Sequence, residues 1–426
     1  MKILLKGGRV IDPAQNLDGQ MDLLLENGKI AAIAEAVGSV PEDTRLLDLK
    51  GMILLPGLVD MHTHLREPGY EYKETIRSGS DAAAVGGFTS IACMPNTLPV
   101  NDNRTVTEYI LKRAKECDTV HVYPVAAVSR NSEGKILAEF GDLKEAGAIA
   151  FSDDGKPVMN SILMRRALEY ASSLDRIIIS HCEDLNLSAG GLMNEGKIST
   201  ELGLPGIPTL AEDVMVARDL LLAEFSGAAL HIAHVSSAGA VRMIRDAKKR
   251  GVRVTAETTP HYFTLTDEAV TNFNTNTKVS PPLRSREDLQ AVREGLRDGT
   301  LDAIVTDHAP HALTDKEVEF EYAANGISGL ETALALSLTL VDDGLLTLSE
   351  LVRKMSVNPA KILNIPKGTL RPGADADITV LNPGKTWVVD PSNWRSQGKN
   401  TPFFGWTLKG KVIMTLVQGR IVYQED

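Results

Sequence analysis

A pair of histidines separated by one residue, His62 and His64, follows an apolar segment and is the first feature of the sequence that suggests chemistry. Side chains alternate between the two faces of an extended strand, so these two imidazoles should point to the same side. Neutral imidazole is a common ligand of zinc and other divalent metals. The spacing therefore predicts that His62 and His64 bind a metal ion together.

Three further apolar segments lead to residues that could complete such a site. His181 directly follows the run Ile-Ile-Ile-Ser and is a candidate ligand. In the next segment only one of His231 and His234 can point inward. His234 lies nearer the end, so we expect His231 to pack in the interior. The last segment ends in Asp307 and His308, and we favour the carboxylate as the general base.

Two adjacent carboxylates, Asp153 and Asp154, end another apolar segment. A carboxylate there could bridge two cations about 3.5–4 Å apart, the usual separation in two-metal sites. Spacing alone does not choose between the two aspartates. Of the remaining histidines, we expect His121 to lie in the core and His261 and His308 to pack in or beside the site.

All of these residues follow short apolar segments that alternate with amphipathic stretches, and eight such pairs occur along the chain. Apolar residues recur every three or four positions in the amphipathic stretches, as in Arg104–Glu116 and Ala238–Lys249, which predicts helices. Eight strand-then-helix units are typical of a (β/α)8 barrel, an α/β fold with its active site at the carboxyl ends of the strands. The predicted strands are Ile53–Val59, Phe88–Met94, Val120–Val128, Ala148–Ser152, Arg176–Ser180, Ala229–His234, Val252–Glu257 and Leu301–Thr306.

The two ends of the chain have a different pattern. Short β segments separated by turn pairs such as Asn27-Gly28 precede the first barrel strand, and similar segments return after residue 366. The sequence thus predicts a TIM-type barrel over residues 53–365 and a small composite β domain built from residues 1–52 and 366–426. Residues 383–407 are irregular and receive no predicted element.

The composition is that of an ordinary globular chain, with 43% hydrophobic and 24% charged residues among 426. With 45 Lys and Arg against 56 Asp and Glu, the formal net charge of −11 argues against nucleic acid and anionic membranes as partners. Three cysteines cannot form a disulfide framework and fit a reducing compartment. The start lacks a signal-peptide core and no apolar run approaches the roughly 18 residues of a membrane span, so we expect a cytoplasmic protein.

Eight motifs lie at or near the predicted strand ends: Asp60-Met-His-Thr-His-Leu-Arg-Glu-Pro-Gly69, Met94-Pro-Asn-Thr97, Phe151-Ser-Asp-Asp-Gly155, His181-Cys-Glu183, His234-Val-Ser-Ser237, Thr259-Pro-His261, Thr306-Asp-His-Ala-Pro-His311 and Gly329-Leu-Glu-Thr332. With them the chain closely resembles the metal-dependent amidohydrolases, and within these the bacterial dihydroorotases that stand as separate chains. The resemblance covers nearly the whole sequence. The pairing of the first two motifs is the feature that separates dihydroorotases from dihydropyrimidinases and allantoinases.

The resemblance implies two zinc ions per chain, bridged by a hydroxide and a carboxylate. Six side chains would bind them, namely His62, His64, Asp154, His181, His234 and Asp307. Asp154 would be the shared carboxylate, and His62 and His64 would bind the ion that Asp307 also contacts, with the other two histidines on the second ion. Asp307 would be the catalytic residue that moves the proton. Two zinc ions, two carboxylates and one hydroxide leave a single positive charge, which favours an anionic substrate.

The resemblance also implies eight substrate-binding residues, namely His64, Leu65, Arg66, Asn96, Ser280, His311, Asn325 and Gly326. Arg66 would hold a substrate carboxylate, and its planar fork of donors independently suits that group. A salt bridge to Glu67 or Glu71 is the alternative for this arginine. At Ser280 the family usually has Asn, and the shorter serine puts this contact in doubt or routes it through water.

The activity implied by the resemblance is that of a dihydroorotase. This is the reversible, zinc-dependent cyclisation of N-carbamoyl-L-aspartate to L-dihydroorotate in the de novo biosynthesis of pyrimidines, which leads to UMP. A hydantoinase, dihydropyrimidinase or allantoinase is the alternative of similar chemistry. A silent barrel that only scaffolds aspartate transcarbamoylase is the alternative of another class, but such chains lose metal ligands and this one retains all six candidates. The resemblance is also compatible with a homodimer and with an active enzyme that associates with aspartate transcarbamoylase.

Overall fold

Two eight-stranded sheets, one two-stranded sheet and the helices between them make up residues 2–38 and 43–425, the part of the chain that this computed structural model describes. The strands are β1 (Lys2–Asp12), β2 (Leu17–Glu26), β3 (Lys29–Ala34), β4 (Arg45–Asp48), β5 (Ile53–Pro56), β6 (Leu58–Thr63), β7 (Phe88–Cys93), β8 (His121–Ala126), β9 (Ala150–Phe151), β10 (Ile177–Ser180), β11 (Met193–Asn194), β12 (Gly206–Ile207), β13 (Leu230–Ile232), β14 (Val254–Thr258), β15 (Ala303–Ile304), β16 (Ile378–Val388), β17 (Thr407–Val417) and β18 (Arg420–Gln424). The α-helices are α1 (Ile76–Val85), α2 (Arg104–Cys117), α3 (Phe140–Ala146), α4 (Ser161–Ser173), α5 (Lys197–Leu202), α6 (Leu210–Ser226), α7 (Ala238–Lys249), α8 (Pro260–Thr264), α9 (Arg286–Arg297), α10 (Leu313–Lys316), α11 (Ala333–Asp342), α12 (Leu348–Val352) and α13 (Asn358–Ile362).

Strands β6 to β10 and β13 to β15 form the predicted barrel. Their spatial order follows the chain, and each neighbouring pair is parallel. The first and last strands approach each other through a bridge between Thr63 and His308 and through the backbone N–H of Thr306, which donates to Asp60 Oδ1 at 3.2 Å. The predicted (β/α)8 architecture is confirmed.

Apolar side chains fill the interior of the barrel. They form one buried cluster that includes Val59, Met61, Ala92, Val125, Ile179 and Ala303, and that is completed by Ala360 and Leu363 from the region of α13. Because these side chains occupy the interior and α13 packs against them, the barrel is a core rather than a channel. Polar chemistry is left to the carboxyl ends of the strands.

Helix α7 shows how the sequence pattern builds the outer layer. Its N-cap, Ser237, accepts a hydrogen bond from the backbone N–H of Ala240, which satisfies one of the free donors of the first turn. Val241, Ile244 and Ala247 are buried at a spacing of three residues, as predicted for a helix with one apolar face. Within residues 2–38 and 43–425, no helix combines the length and apolar character needed to cross a membrane.

The second eight-stranded sheet joins the two ends of the chain, and β5 is the strand that connects them. It pairs in parallel with β1 and antiparallel with β16. The predicted first barrel strand, Ile53–Val59, is therefore wrong, because it divides at Gly57 into β5 and β6. A side chain at Gly57 would bring its Cβ to 2.1 Å from Thr89 Oγ1, so the close approach requires glycine. The predicted domain boundary between residues 52 and 53 stays a prediction. The pairing of β5 with β1 and β16 favours a boundary after β5.

The stretch that received no predicted element, residues 383–407, connects the composite sheet to the barrel. Strand β16 continues to Val388, and a short 3-10 turn follows at Pro391–Asn393. The chain then crosses to the rim of the barrel, where the side chains of Ser396 and Asn400 are buried.

Candidate active site

Asp154 lies at the centre of the predicted ligand cluster. Its Oδ1 atom is 3.4 Å from His62 Nε2, 3.6 Å from His181 Nδ1 and 3.5 Å from His234 Nε2. Its Oδ2 atom is 3.5 Å from His64 Nε2. One buried carboxylate thus faces all four predicted imidazole ligands, as a carboxylate shared by two cations must.

Asp307 joins this cluster from the end of the last barrel strand. Its Oδ1 atom lies 2.9 Å from His64 Nε2 and 3.5 Å from His62 Nε2. The residue has a φ of 47°, in the left-handed region that aspartate tolerates better than most residues. Asp60 fixes the preceding residue, because both the backbone N–H and the hydroxyl of Thr306 donate to its carboxylate.

The electrostatics of the cluster suit divalent cations. Burial alone would raise the pKa of Asp154, but the imidazoles around it hold that pKa well below its ordinary value. The pKa of Asp307 is lowered likewise, against the effect of burial, by His62 and His64. Both carboxylates are therefore ionised at neutral pH. Imidazole nitrogens and carboxylate oxygens are the donors that zinc prefers in catalytic sites.

Three buried polar atoms of the cluster lack hydrogen-bond partners within the described part of the chain, namely His62 Nε2, Asp154 Oδ1 and His234 Nδ1. The first two face each other at 3.4 Å. Buried polar atoms are nearly always paired, so this pair indicates that another group belongs between them. The donor atoms of His62, His64 and Asp307, and those of His62, Asp154 and His234, each lie within 4.8 Å of one another. The residues fit a metal centre.

A buried carboxylate that the sequence reasoning missed, Glu257, orients His62. Its Oε1 atom lies 2.6 Å from His62 Nδ1, and its Oε2 atom lies 3.0 Å from His231 Nε2. Although burial would raise the pKa of Glu257, His62 and His231 lower it to about 2. The ionised carboxylate only accepts hydrogen bonds, so Nδ1 of His62 carries the proton and Nε2 is left free for a metal. The sequence did contain one indication of this role, because Glu257 is a charged residue at the end of the seventh predicted strand.

Two other histidines of the cluster also form a hydrogen bond through the ring nitrogen that faces away from Asp154. Nδ1 of His64 lies 2.9 Å from Asn96 Oδ1, and Nε2 of His181 lies 3.0 Å from Glu183 Oε2. Such contacts fix the ring orientation and the tautomer of a metal-binding imidazole. Glu183 belongs to a motif that carried the family resemblance, but the sequence did not assign it a role.

The choice between Asp153 and Asp154 is explained by the neighbouring strand. Asp153 turns away from the cluster, and its Oδ1 atom accepts from the backbone N–H groups of Val128 and Ser129 at 2.8 and 3.0 Å. The Ser129 hydroxyl donates to its other oxygen. Asp153 therefore holds the loop after β8, and Asp154 is free to face the histidines.

The histidines predicted to lie outside the cluster do so, with one correction. His231 is fully buried against Glu257, and Nε2 of His308 lies 3.3 Å from Glu74 Oε2. His261 is buried, and burial lowers its pKa to about 4. The prediction that His121 lies in the core is wrong: it is half-buried, with Nε2 2.8 Å from the ammonium of Lys367.

A cationic group lies beside the ligand cluster and includes the predicted anchor Arg66. Its Nε donates to the carbonyl of Pro310 at 3.2 Å, and one terminal nitrogen lies 3.4 Å from His311 Nε2. The alternative, a salt bridge to Glu67, is not seen among the described residues. Glu67 instead accepts from Arg113 at 2.8 Å. Glu71 accepts from the backbone N–H of Gly69 at 2.9 Å. Arg66 thus forms a salt bridge with neither predicted alternative in the described part of the chain.

Lys73, which the sequence reasoning missed, determines the tautomer of His311. Its ammonium lies 3.2 Å from His311 Nδ1 and can only donate, so Nδ1 is the acceptor and Nε2 carries the proton. Nε2 lies 2.8 Å from the carbonyl of Asn325. Burial, Arg66 and Lys73 lower the pKa of His311 to about 2. His311 is thus a neutral donor beside two cations.

The other predicted substrate residues lie around this group. Ser280 is half-buried, and within the described ranges its hydroxyl has no hydrogen-bond partner. Gly326 has a φ of 149°, and a Cβ there would meet the carbonyl of Ala309 at 2.6 Å. The side chain of Leu65 is buried and apolar. A hydrogen bond from this residue to a substrate would therefore use its backbone. The structure brings the candidate metal ligands together, while the substrate contacts stay predictions.

Comparison with known proteins agrees with this site. Residues 51–240 match the family described as Dihydro-orotase-like, and residues 212–423 match the one described as Amidohydrolase family. The dihydroorotase of Geobacter metallireducens is 57% identical over 424 residues, which cover 100% of both chains. That of Pelotomaculum thermopropionicum is 58% identical over 429 residues, covering 100% of this chain and 99% of the relative.

Solved structures with the same fold include cyclic amidases. The L-hydantoinase (dihydropyrimidinase) from Arthrobacter aurescens is 28% identical, with a TM-score of 0.89 over 99% of this chain and 96% of that one. A dihydropyrimidinase from Brevibacillus agri is 25% identical, with a TM-score of 0.85 over 100% of this chain and 95% of that one. Identity to the dihydroorotases is about twice as high and spans the full length of both chains. The chain is an enzyme of the amidohydrolase superfamily and belongs to the dihydroorotase family.

Proposed function

We propose that this enzyme catalyses the reversible cyclisation of N-carbamoyl-L-aspartate to L-dihydroorotate, a step of de novo pyrimidine biosynthesis. The observation that carries the proposal is the cationic group of Arg66, Lys73 and neutral His311 beside the carboxylate and imidazole cluster. Dihydroorotate combines a cyclic amide with a carboxylate. Asp315 Oδ2 lies 3.2 Å from the ammonium of Lys73, so Arg66 is the cation of this group that has no carboxylate partner among the described residues. The uncharged rings of hydantoin and dihydrouracil would leave Arg66 unpaired.

The proposal includes two zinc ions per chain, with Asp154 shared between them. One ion would be held by His62, His64 and Asp307, and the other by His181 and His234. When bound, zinc supplies Lewis acidity, which activates a water nucleophile and polarises the amide carbonyl. The protein orients the ligands, because Glu257, Asn96 and Glu183 form hydrogen bonds to the imidazoles of His62, His64 and His181.

Asp307 is the proposed proton-transfer residue. His62 and His64 outweigh the effect of burial and keep its pKa low, so the carboxylate is available as a base at neutral pH. During ring opening it accepts the proton of the attacking water and passes it to the leaving ring nitrogen. During ring closure it takes the proton from the attacking carbamoyl nitrogen and returns it to the departing oxygen. One further proton from solvent completes the water, because the attacked group is a carboxylate.

Three side chains are proposed to hold the substrate carboxylate. Arg66 offers a planar fork of donors. His311 would offer its Nε2–H by exchanging the bond that this group makes to the Asn325 carbonyl at 2.8 Å. Asn96 accepts from His64 Nδ1 through its Oδ1 atom at 2.9 Å, which leaves both hydrogens of its Nδ2 for the substrate. The three groups present donors only, as recognition of an anion requires.

The direct test compares ring opening of dihydroorotate with that of dihydrouracil by the zinc-loaded enzyme. We expect turnover of dihydroorotate and a kcat/KM for dihydrouracil lower by at least about a hundredfold, because a site built to pair polar groups rejects an analogue that lacks the partner. A preference for dihydrouracil would favour the cyclic-amidase alternative. Absence of turnover with full zinc content would favour the scaffold alternative.

Three properties stay predictions: a homodimer and an association with aspartate transcarbamoylase, which the family resemblance allows, and a cytoplasmic location, which the composition favours. Sedimentation velocity tests the first. A binding titration with purified aspartate transcarbamoylase tests the second, and fractionation of the source cells tests the third.

Replacing Arg66 with lysine should raise the KM for dihydroorotate about tenfold, because the charge is kept while the two-pronged geometry is lost. Metal content should stay unchanged, because Arg66 contacts none of the six candidate ligands in the contacts that the structure describes. Steady-state kinetics and elemental analysis on one sample check both statements. An unchanged KM would remove Arg66 from the role of carboxylate anchor.

Replacing Ser280 with asparagine restores the residue that the family usually carries and should leave kcat/KM equal or improved. The serine hydroxyl has no partner among the described residues to lose. A loss of about a hundredfold, which corresponds to about 2.7 kcal/mol of barrier, would show that the pocket has no room for the longer amide.

A further inference from the structure

The segment that crosses from the composite sheet to the barrel rim carries a buried amide, Asn400. Its side chain is 4% exposed, although the surrounding stretch is irregular and was left without a predicted element. Gly398 lies close beside it, and a Cβ there would come within 2.3 Å of Pro310 Cβ. The segment is therefore packed tightly against the loop that follows the last barrel strand.

Every hydrogen-bonding position of the Asn400 amide is used. Nδ2 donates to the carbonyls of Ala309 and Gly326 at 3.0 and 2.9 Å. Oδ1 accepts from the backbone N–H of His311 and from the hydroxyl of Ser328, both at 2.9 Å. The backbone carbonyl of Asn400 accepts from the N–H of Ser328 at 2.8 Å.

These partners lie at the two ends of one loop. Ala309 and His311 are at its start, and Gly326 and Ser328 are at its end. The loop carries His311, Asn325 and Gly326, three of the predicted substrate contacts. A single side chain from the segment that follows β16 thus bonds to both ends of this loop, including the backbone N–H of His311.

The metal ligands do not share this support. In the described contacts Asn400 touches none of the six candidate ligands. Three of their imidazoles are oriented by Glu257, Asn96 and Glu183 instead, and Asp60 fixes the residue that precedes Asp307. Lys316 also supports the end of the loop, because its ammonium donates to the carbonyls of Ala324 and Gly326 at 2.7 and 3.2 Å. Loss of the Asn400 amide should therefore loosen the start of the loop at Ala309 and His311 most, without emptying the metal centre.

We propose that Asn400 is a positioning residue of the substrate pocket, which sets the loop spanning residues 309–328 so that His311 and the Asn325–Gly326 backbone meet the substrate. The proposal rests on the proposed function for the identity of that substrate. It gives the segment between β16 and β17 a part in substrate binding, although that segment follows all the barrel strands in the chain.

The test replaces Asn400 with leucine, which has a similar size and no hydrogen-bonding atoms. We expect the KM for dihydroorotate to rise at least about tenfold, with zinc content unchanged and a smaller change in kcat. Amide hydrogen exchange of the zinc-loaded protein without substrate should become faster over residues 309–328 and stay unchanged at the metal ligands. Asn393→Leu is the matched control. This exposed asparagine lies in the same segment, and in the described part of the chain Asp390 is the one hydrogen-bond partner of its Nδ2.

An Asn400→Leu enzyme with an unchanged KM and unchanged exchange would overturn the proposal. So would a loss of zinc in parallel with activity, since it would indicate a general structural role. If the leucine variant does not fold, Asn400→Gln keeps the same donors and acceptor but displaces them by one methylene. It should raise the KM and retain zinc, and wild-type kinetics in that variant would count against the proposal. If wild-type enzyme does not turn over dihydroorotate, the proposed function fails, while the exchange data still decide whether Asn400 holds the loop.

Discussion

Replacing Asp307 with asparagine should leave most of the bound metal in place and slow turnover at least about a hundredfold. Asparagine is nearly isosteric, can present an oxygen to a metal and tolerates the left-handed backbone at this position. It cannot accept a proton, and a positioned general base contributes about 10²–10⁴-fold to rate. Ring opening and ring closure share one transition state, so both directions should fall by the same factor under the same conditions.

Elemental analysis and initial rates in both directions, measured on one preparation, test this prediction. The control is His62→Ala, which removes a ligand and should lose metal and activity together. An Asp307→Asn enzyme with full metal and near-normal turnover would show that another group moves the proton. Metal loss equal to that of His62→Ala would show that Asp307 acts as a ligand and that its role as a base is untested by this substitution.

The barrel and the ligand cluster could both be predicted from the alternation of apolar strands and helices along the sequence. Polar residues that directly follow apolar strands meet at one end of a parallel barrel, and His62, His64, His181 and Asp307 satisfy that rule. The same rule could not separate Asp153 from Asp154, because both follow β9. The structure separates them through hydrogen bonds from the neighbouring loop to Asp153.

The supporting residues were not predictable from local pattern. Glu257 closes an ordinary strand, and its role depends on His62, which lies 195 residues away. Asn400 bonds to Ala309 across 91 residues from a stretch without helical or strand periodicity. The same limit applies to β5, because the division at Gly57 depends on pairing with both ends of the chain. Long-range hydrogen bonds leave no periodic signal in a sequence.

Replacing Glu257 with glutamine should weaken metal binding about 10–100-fold, the usual cost of losing a carboxylate that supports a metal-binding histidine. Both carboxylate oxygens contact imidazoles, His62 at 2.6 Å and His231 at 3.0 Å. The amide could be accommodated if His231 changed tautomer and donated to the hydroxyl of Thr255, which lies 2.8 Å from its Nδ1. The negative charge of Glu257 strengthens His62 as a metal ligand. The expected loss of metal affinity therefore comes from removal of that charge.

Glu183→Gln is the matched comparison for this prediction. Each carboxylate contacts one candidate ligand, Glu183 at 3.0 Å from His181 Nε2 and Glu257 at 2.6 Å from His62 Nδ1. The side chain of Glu183 is 20% exposed, whereas that of Glu257 is fully buried. Water screens the charge of an exposed carboxylate, so its removal should weaken metal binding less. Titration of the metal-free variants with zinc against a competing chelator measures both affinities. Equal losses would show that hydrogen bonding rather than buried charge supports the ligands, and no loss at Glu257 would remove it from the metal centre.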